Sequence, residues 1–383
     1  MRNILYLHSS SDLYGSDRSL LRTIRALDKK QYTPFVCLPY NGPLVDELRK
    51  EGIETFIFDL GIIRRKLFTP IGLFQFAYGF ITALIKVLSI IRTRKIDFLH
   101  SNTAAVLVGG VAAKLTGKKH LWHVREIIVN PVIVRKVISF FLHHFGTTVI
   151  GVSNSVIDNL AIDQPLIRNH SIVIHNGLEI EKYLNGNRKK IRTEFSVGDD
   201  EVLVGMIGRV SHWKGQDLFL NVATEVCKRT SNVTFIAVGS PFQGQDYEMT
   251  KFRASVDQRA LGKKFIIEEF RSDVKDLLAG FDIFILPSTL PDPFPTTVLE
   301  AMATGKPIIA NAHGGVVQMV EDGLSGFLVP PNNINAMAAR VIQCVENEPL
   351  RKNLGNAAYE RVQNRYSVST YLVNISRLYS SNV

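Results

Sequence analysis

Two doubly wound, parallel-sheet α/β domains are what this 383-residue sequence predicts, and three observations carry the prediction. Short apolar runs alternate with stretches of helical periodicity, the pattern of parallel strands joined by crossover helices. That rhythm stops at the polar stretch NGNRKKIRTEFSVGDDE and then starts again. The length suits two or three domains at roughly 100–200 residues each.

In the first half the apolar runs are Ile4–Leu7, Pro34–Leu38, Thr55–Phe58, Ile96–Leu99, Leu121–Val124, Thr148–Val152 and Ile172–Ile174. Helical periodicity fills Ser19–Leu27, Leu44–Glu51 and Ala104–Leu115 between them. In the second half the runs are Val202–Ile207, Val233–Val238, Phe265–Ile267, Ile283–Leu286, Pro307–Ala310 and Phe327–Val329. There the helical segments are Leu218–Lys228, Val274–Ala279, Val298–Ala303 and Ile334–Val345. Domains at 1–180 and 181–366 follow.

An apolar content of 46% with 21% charged residues excludes a disordered chain. Cys37, Cys227 and Cys344 are far apart and never form a C-x-x-C pair, which excludes a disulfide framework and suits a reducing compartment. The start, MRNILYLHSS, lacks the apolar core of a secretory signal, so a cytoplasmic location is expected, with a peripheral place on the inner membrane face as its extension. Neither H-E-x-x-H nor a D-x-D run occurs, so neither metal nor other cofactor is expected. The P-loop pattern G-x-x-x-x-G-K-[ST] is also absent, which excludes that class of NTPase.

Charge is uneven. Residues 1–180 hold 22 basic and 13 acidic residues, while the remainder hold 23 and 22. The first half therefore suits an anionic partner: nucleic acid, a membrane surface or a phosphorylated substrate. Solubility alone is the plainer reading. Within that half, residues 64–95 place Arg64, Arg65 and Lys66 before a long apolar stretch, and Arg92, Arg94 and Lys95 after it. Gln75, Thr82, Lys86 and Ser89 fall near one helical face, so an amphipathic core helix is expected. Peripheral contact with an anionic membrane through 64–95 is the sharper option, and a full span the weakest.

In doubly wound sheets ligands bind beyond the carboxyl ends of the strands. The residues just after the runs include His8, His100, Asn102, His123, Arg125 and Glu126 in the first half. In the second they include Arg209, Lys214, Ser240, Phe270, Arg271, Ser288 and His313. GRVSHWKGQD leads into a helix, where cations oppose the macrodipole. Arg209 and Lys214 make sense there if a phosphate sits between them and the helix amides. In PDPFPTTVLEAMATGKP, Thr297 and Glu300 spell a capping box, a purely structural reading. Alternatively Asp292 and Glu300 hold two hydroxyl clusters of one long ligand. The Gly-Gly turn of NAHGGVVQMVEDG lets amides approach a phosphate or sugar. Gly15 and Ser16 in SSSDLYGSDRSL open the first helix in the same manner, without a dinucleotide fingerprint. His123, flanked by Arg125 and Glu126 at a strand end, suits a functional role better than a silent core position.

These motifs together resemble the retaining glycosyltransferases of family 4. The likeness runs through YGSDRSL, WHVRE, VIGVSNSV, VIHNGLE, GRVSHWKG, FIIEEFRSDVKDLLAGFDIFILPS, DPFPTTVLEAMATGKPII and HGGVVQMVEDGLSGFLVPP. The resemblance implies a GT-B architecture, two Rossmann-like domains facing a deep cleft, with the segment 367–383 packing back on the first domain through a last helix at about Ser367–Ser380. It implies that Arg209 and Lys214 bind the donor diphosphate and that Glu300 holds the ribose. Asp292 would face the donor sugar, beside the amides of Phe294, Thr296 and Thr297. Gly15 and Ser16 would meet phosphate and sugar, His123 would touch the sugar beside the reacting carbon, and Phe270 and Arg271 would lie near the base. The sequence departs from the family pattern with Asp292 where Glu is usual, Pro295 for Gly, Asp17 for Glu and Gln318 for Glu.

The expected reaction moves a sugar from a UDP- or GDP-linked donor to an acceptor hydroxyl with retention of configuration. A saccharide or lipid-linked saccharide acceptor, in surface polysaccharide or glycolipid assembly, is the expected partner, and nucleic acid is not. A sugar-nucleotide epimerase and a basic nucleic-acid- or membrane-binding protein are the alternatives.

Overall fold

The computed structural model describes residues 1–13, 15–63 and 69–382. The expectations attached to Tyr14 and to Arg64, Arg65 and Lys66 lie outside them. In chain order the first part contains β1 (Arg2–Leu7), α1 (Gly15–Arg25), β2 (Tyr32–Leu38), α2 (Pro43–Lys50), β3 (Glu54–Ile57) and α3 (Pro70–Thr93). Then come β4 (Phe98–Ser101), α4 (Val108–Thr116), β5 (Lys119–Val124), α5 (Val132–Phe145), β6 (Thr148–Gly151), α6 (Asn154–Ala161) and β7 (Ser171–Val173). The second part contains α7 (Arg188–Glu194), β8 (Val202–Ile207), α8 (Gln216–Cys227), β9 (Val233–Val238), α9 (Asp246–Asp257), β10 (Phe265–Glu268) and α10 (Val274–Gly280). It continues through β11 (Ile283–Leu286), α11 (Thr296–Ala303), β12 (Ile308–Asn311), α12 (Val316–Met319), β13 (Gly326–Val329), α13 (Ile334–Glu346) and α14 (Glu348–Tyr366) to α15 (Val368–Asn382).

The chain divides into two compact units, Met1–Gly177 with Tyr371–Val383, and Leu178–Thr370. Unit 1 holds a parallel sheet in the order β3-β2-β1-β4-β5-β6-β7. Leu5 of β1 pairs with Phe35 on one side and Leu99 on the other. Alternate residues of β1 feed two cores. Ile4 and Tyr6 face α1, α2 and α15, while Leu5 and Leu7 face α3 and α4. The C-terminal helix belongs to unit 1 because Tyr371, Ile375, Leu378 and Tyr379 are buried in the first of these cores. Its hydroxyls are satisfied there, Tyr379 by Tyr6 at 2.9 Å and by His100 at 2.7 Å, and Tyr371 by Thr23 at 2.6 Å.

Unit 2 holds a parallel sheet in the order β10-β9-β8-β11-β12-β13. One face is covered by α8, α9 and α13 through Phe219, Phe252, Met337 and Val341. Both sheets reverse strand order once, at β1/β4 and at β8/β11. Such switch points open a crevice at the carboxyl edge, and loops following those strands are where ligand-binding residues collect.

Two expectations are corrected. The outer surface of α3 is not chiefly polar: Ile71, Leu73, Phe74, Tyr78, Ile81 and Ile85 are exposed along with Gln75, Lys86 and Ser89, while Ala83, Val87, Ile90 and Ile91 are buried. The capping box does not form, because α11 begins at Thr296 with Pro295 as its cap residue, so Thr297 lies inside the helix.

Candidate functional site

In unit 2 the loop between β8 and α8 carries Arg209 and Lys214. It ends in Gly215, the cap residue of α8, at φ 84°. A side chain there would place its Cβ 2.0 Å from the carbonyl oxygen of Pro287, so only glycine allows this approach to the loop after β11. The two loops are also joined by the amide of Thr289, which donates to the Trp213 carbonyl at 2.8 Å. Gln216, buried in the first turn of α8, fixes the loop from within. Its Nε2 donates to the Arg209 carbonyl at 2.8 Å and its Oε1 accepts from the Ser211 amide at 3.4 Å. The start of a helix carries partial positive charge and amides without intrahelical partners, which together with two cations on the preceding loop suit an anion.

Lys214 Nζ lies 2.5 Å from Asp292 Oδ2, and the Ser288 hydroxyl donates to the same oxygen at 3.4 Å. The structure therefore brings together two of the expected donor-binding residues. The Arg209 guanidinium lies over the ring of Phe242, 3.1 Å from its centroid, which holds the fork in one plane. The Gly-Gly turn has a reason beyond ligand approach. Gly314, at φ 68°, would place a Cβ 2.4 Å from the Asp292 carbonyl oxygen, and the Gly315 amide donates to that oxygen at 2.7 Å. The turn thus props the loop bearing Asp292.

Glu300 lies on α11, where its Oε1 accepts from the Tyr183 hydroxyl at 2.7 Å. Thr296 and Thr297 form the half-buried first turn of that helix, and the Phe294 ring is buried against Tyr366. Phe270 is 76% exposed, with its amide donating to Ser240 Oγ at 2.9 Å. Arg271 beside it is held by Asp273 at 2.7 Å and by Glu194, which push its pKa further up, with Glu268 at 3.7 Å. Its guanidinium is a structural anchor of the strand end, not a group aimed at solvent.

In unit 1 the switch point gathers a connected polar network. His8, after β1, places Nε2 at 2.6 Å from Asp17 Oδ1, with both side chains fully buried. Its Nδ1 lies 3.2 Å from Asn102 Nδ2, after β4, and Asn102 also donates weakly to the Ser16 carbonyl at 3.4 Å. Gly15 and Ser16 open α1 beside this network. Asn102 Oδ1 accepts from Arg125 Nε at 3.1 Å, and Arg125 in turn donates to Asn176. Glu126 accepts from the amides of Arg125 at 2.9 Å and Ala104 at 3.2 Å, and burial raises its pKa. His123 is buried, stacked 5.7 Å from His100, with Nε2 lacking a hydrogen-bond partner. Burial, then the charge of Arg125, holds its pKa well below the ordinary imidazole value, so the ring is neutral. A neutral imidazole nitrogen at a strand end is ready to bond a ligand hydroxyl.

Sequence reasoning did not single out Gln216, Tyr183, Phe242 or the coupling of Asp17 to His8. Only Gln216 left a local signal, a buried amide in the first turn of a helix that also carries the cations. Among the described residues no group of three or more potential metal ligands occurs.

Residues 14–182 match the family described as Glycosyltransferase Family 4, and residues 187–361 match Glycosyl transferases group 1. The chain is 26% identical over 199 residues to a D-inositol 3-phosphate glycosyltransferase of Kribbella flavida, covering 50% of this chain and 46% of that relative. The chain thus spans about half of that relative's length. Over 96% of its own length and 94% of the relative's, it is 23% identical to an Escherichia coli UDP-Gal:alpha-D-GlcNAc-diphosphoundecaprenol alpha-1,3-galactosyltransferase. Among solved structures it superposes on HepE of Anabaena in complex with UDP, with a TM-score of 0.85, 23% identity and full coverage of both chains. That likeness shows the fold, GT-B with its two Rossmann-like units.

Proposed function

The chain belongs to the family 4 glycosyltransferases, and from that premise we propose that it moves a hexosyl group from a UDP-sugar to a hydroxyl of a lipid-linked saccharide, with retention of anomeric configuration. The observation that carries the reading is the loop at the start of α8, where Arg209 and Lys214 are held in place by Gln216 and Asp292. A uridine carrier is supported by the UDP named in the HepE complex and in the galactosyltransferase relative. A lipid-linked acceptor is supported by the diphosphoundecaprenol in that relative's name. A nucleotide-sugar donor and three unpaired cysteines suit a cytoplasmic location.

The chemistry follows from the charges. Breaking the bond from the anomeric carbon to the β-phosphate oxygen puts negative charge on the leaving diphosphate. The Arg209 fork, the Lys214 ammonium and the helix amides meet that charge where it develops. Lys214 has three donors, so it keeps its bond to Asp292 while donating to a phosphate oxygen. The acceptor oxygen bonds to the anomeric carbon on the face that the diphosphate leaves, and its proton passes to a β-phosphate oxygen. Glu300, with Tyr183 behind it, suits the ribose hydroxyls, and Asp292 those of the sugar; in unit 1, taken by itself, the neutral His123 suits a saccharide hydroxyl. Phe270 suits the base. No metal is needed for this scheme, because two fixed cations supply the compensating charge.

The test is product analysis. Incubation of the purified protein with UDP-hexoses and an undecaprenyl-diphosphate-linked sugar should yield a disaccharide of the donor's anomeric configuration by NMR coupling, undiminished by EDTA. An inverted product refutes retention, turnover of UDP-sugar without acceptor favours an epimerase, and preference for GDP-sugars refutes the uridine carrier.

A further inference from the structure

We propose that the outer face of α3 and α5 seats unit 1 on an anionic lipid bilayer. The observation is a pair of exposed apolar stripes on two helices that flank α4. On α3, Ile71, Phe74, Tyr78, Ile81 and Ile85 recur at helical spacing and are exposed, Phe74 at 74% and Tyr78 at 67%. On α5, Ile133, Val137 and Phe140 repeat the pattern and are also exposed, while Ile138 and Leu142 on its other side are buried.

Both helices lie on one side of the sheet. The buried side of α3 packs with Leu5, Leu7, Phe35 and Cys37. Trp122 of β5 points to the same side, since Leu121 faces the opposite core. A Cβ on Gly110 of α4 would meet both Trp122 and Phe145 of α5, so α4 and α5 share that side, and α4 packs against α3 as well. Both stripes occupy the N-terminal parts of crossover helices, which start near the carboxyl edge of a parallel sheet. His8, Asn102 and His123 stand at that edge.

Charge identifies the occupant. Residues 60–157, which supply α3, α4 and α5, contain 13 Lys and Arg but only Asp97 and Glu126 as acids. The rest of the chain holds 32 basic and 33 acidic residues, so the whole net charge of +10 originates in this segment. Glu126 is buried, and none of the three helices carries an acid. Lys86 and Lys136 are exposed beside the stripes. Apolar stripes within such a field fit an anionic headgroup layer with acyl chains beneath it. A second copy would set two such segments against each other, and like charges oppose that contact. A span is excluded by the side of α3 buried in the core. The inference concerns where the protein sits and stands apart from the transfer chemistry, although a lipid-linked acceptor would gain from it.

The experiment floats the full-length protein with vesicles of phosphatidylcholine alone or with added phosphatidylglycerol. Wild type should bind the anionic vesicles at least about tenfold more tightly, and less so as salt rises. Combining Phe74→Ser, Tyr78→Ser and Ile81→Ser should lower that binding about tenfold or more. Lys86→Glu with Lys136→Glu, which changes no apolar group, should also lower it by about tenfold. All variants should keep transfer to a water-soluble acceptor, so failure of the membrane inference is separable from failure of the transferase reading. Wild type that does not float with phosphatidylglycerol, or floats equally with both vesicles, overturns the proposal. So do variants that float like wild type, or a dimer by light scattering that the same serine substitutions dissolve.

Discussion

The ammonium of Lys214 and the carboxylate of Asp292 lie 2.5 Å apart, joining the loop after β8 to the loop after β11 across the switch point of the second sheet. Each side chain is largely buried, so neither charge is well compensated by water. Asp292→Asn keeps the shape and an acceptor but removes the counter-charge, leaving Lys214 to the diphosphate alone. UDP affinity should stay within about threefold of wild type, while kcat falls by at least about tenfold because the sugar loses its carboxylate. Titration with UDP and steady-state kinetics check this split. An equal loss of affinity and turnover would reduce Asp292 to a loop support.

Gln216 holds the phosphate loop through Arg209 and Ser211. Gln216→Ala should cost about 1–2 kcal/mol in urea unfolding, since it leaves buried backbone groups unpaired. UDP affinity should fall severalfold although the side chain is directed into the protein.

Tyr183→Phe removes the donor that orients Glu300. The expected result is a donor KM raised about three- to tenfold with kcat nearly unchanged, for the loss of one hydrogen bond to a charged group's aligner. An unchanged KM would remove Glu300 from donor binding.

Burial lowers the pKa of His100 and of His120 to about 3, and that of His123 well below the ordinary value. Each folded pKa is depressed, so the unfolded chain takes up more protons once the pH drops below about 6.5. Stability should be full above that value and fall toward pH 3, by at most about 4 kcal/mol per pH unit for the three together. Glu126, with a raised pKa, works in the opposite sense at the acid end. His120→Gln should flatten the dependence by up to about 1.4 kcal/mol per unit in urea titrations from pH 6.5 downward.

All thirteen expected strands overlap observed ones, because the inner strands are buried on both faces and so apolar throughout, while the edge strands β3 and β7 keep short apolar runs bounded by turns. The helices were less legible. α5 is apolar outside as well as inside, which blurs its period, and α14 reads EPLRKNLGNAAYERVQNRY with few apolar residues to set a face. The capping box misled because a Thr three residues before a Glu says nothing of which residue is helical first, and Pro295 already sets the start. Arg209 and Lys214 were legible because cations before a helix contradict local electrostatics. Tyr183 and Phe242 were not, since their pairing with Glu300 and Arg209 exists only once distant segments fold together.

The diphosphate grip is tested directly by thermal unfolding of wild type and Arg209→Ala with UDP, GDP or ADP and no added metal. UDP at about a hundred times its dissociation constant should add about 2.7 kcal/mol to the state it binds, a rise of several degrees for a unit of this size. The expected result is that rise for wild type with UDP above the other nucleotides, and an Arg209→Ala protein that melts normally alone yet gains little from UDP. No rise with any nucleotide, or an equal rise in both proteins, would contradict it.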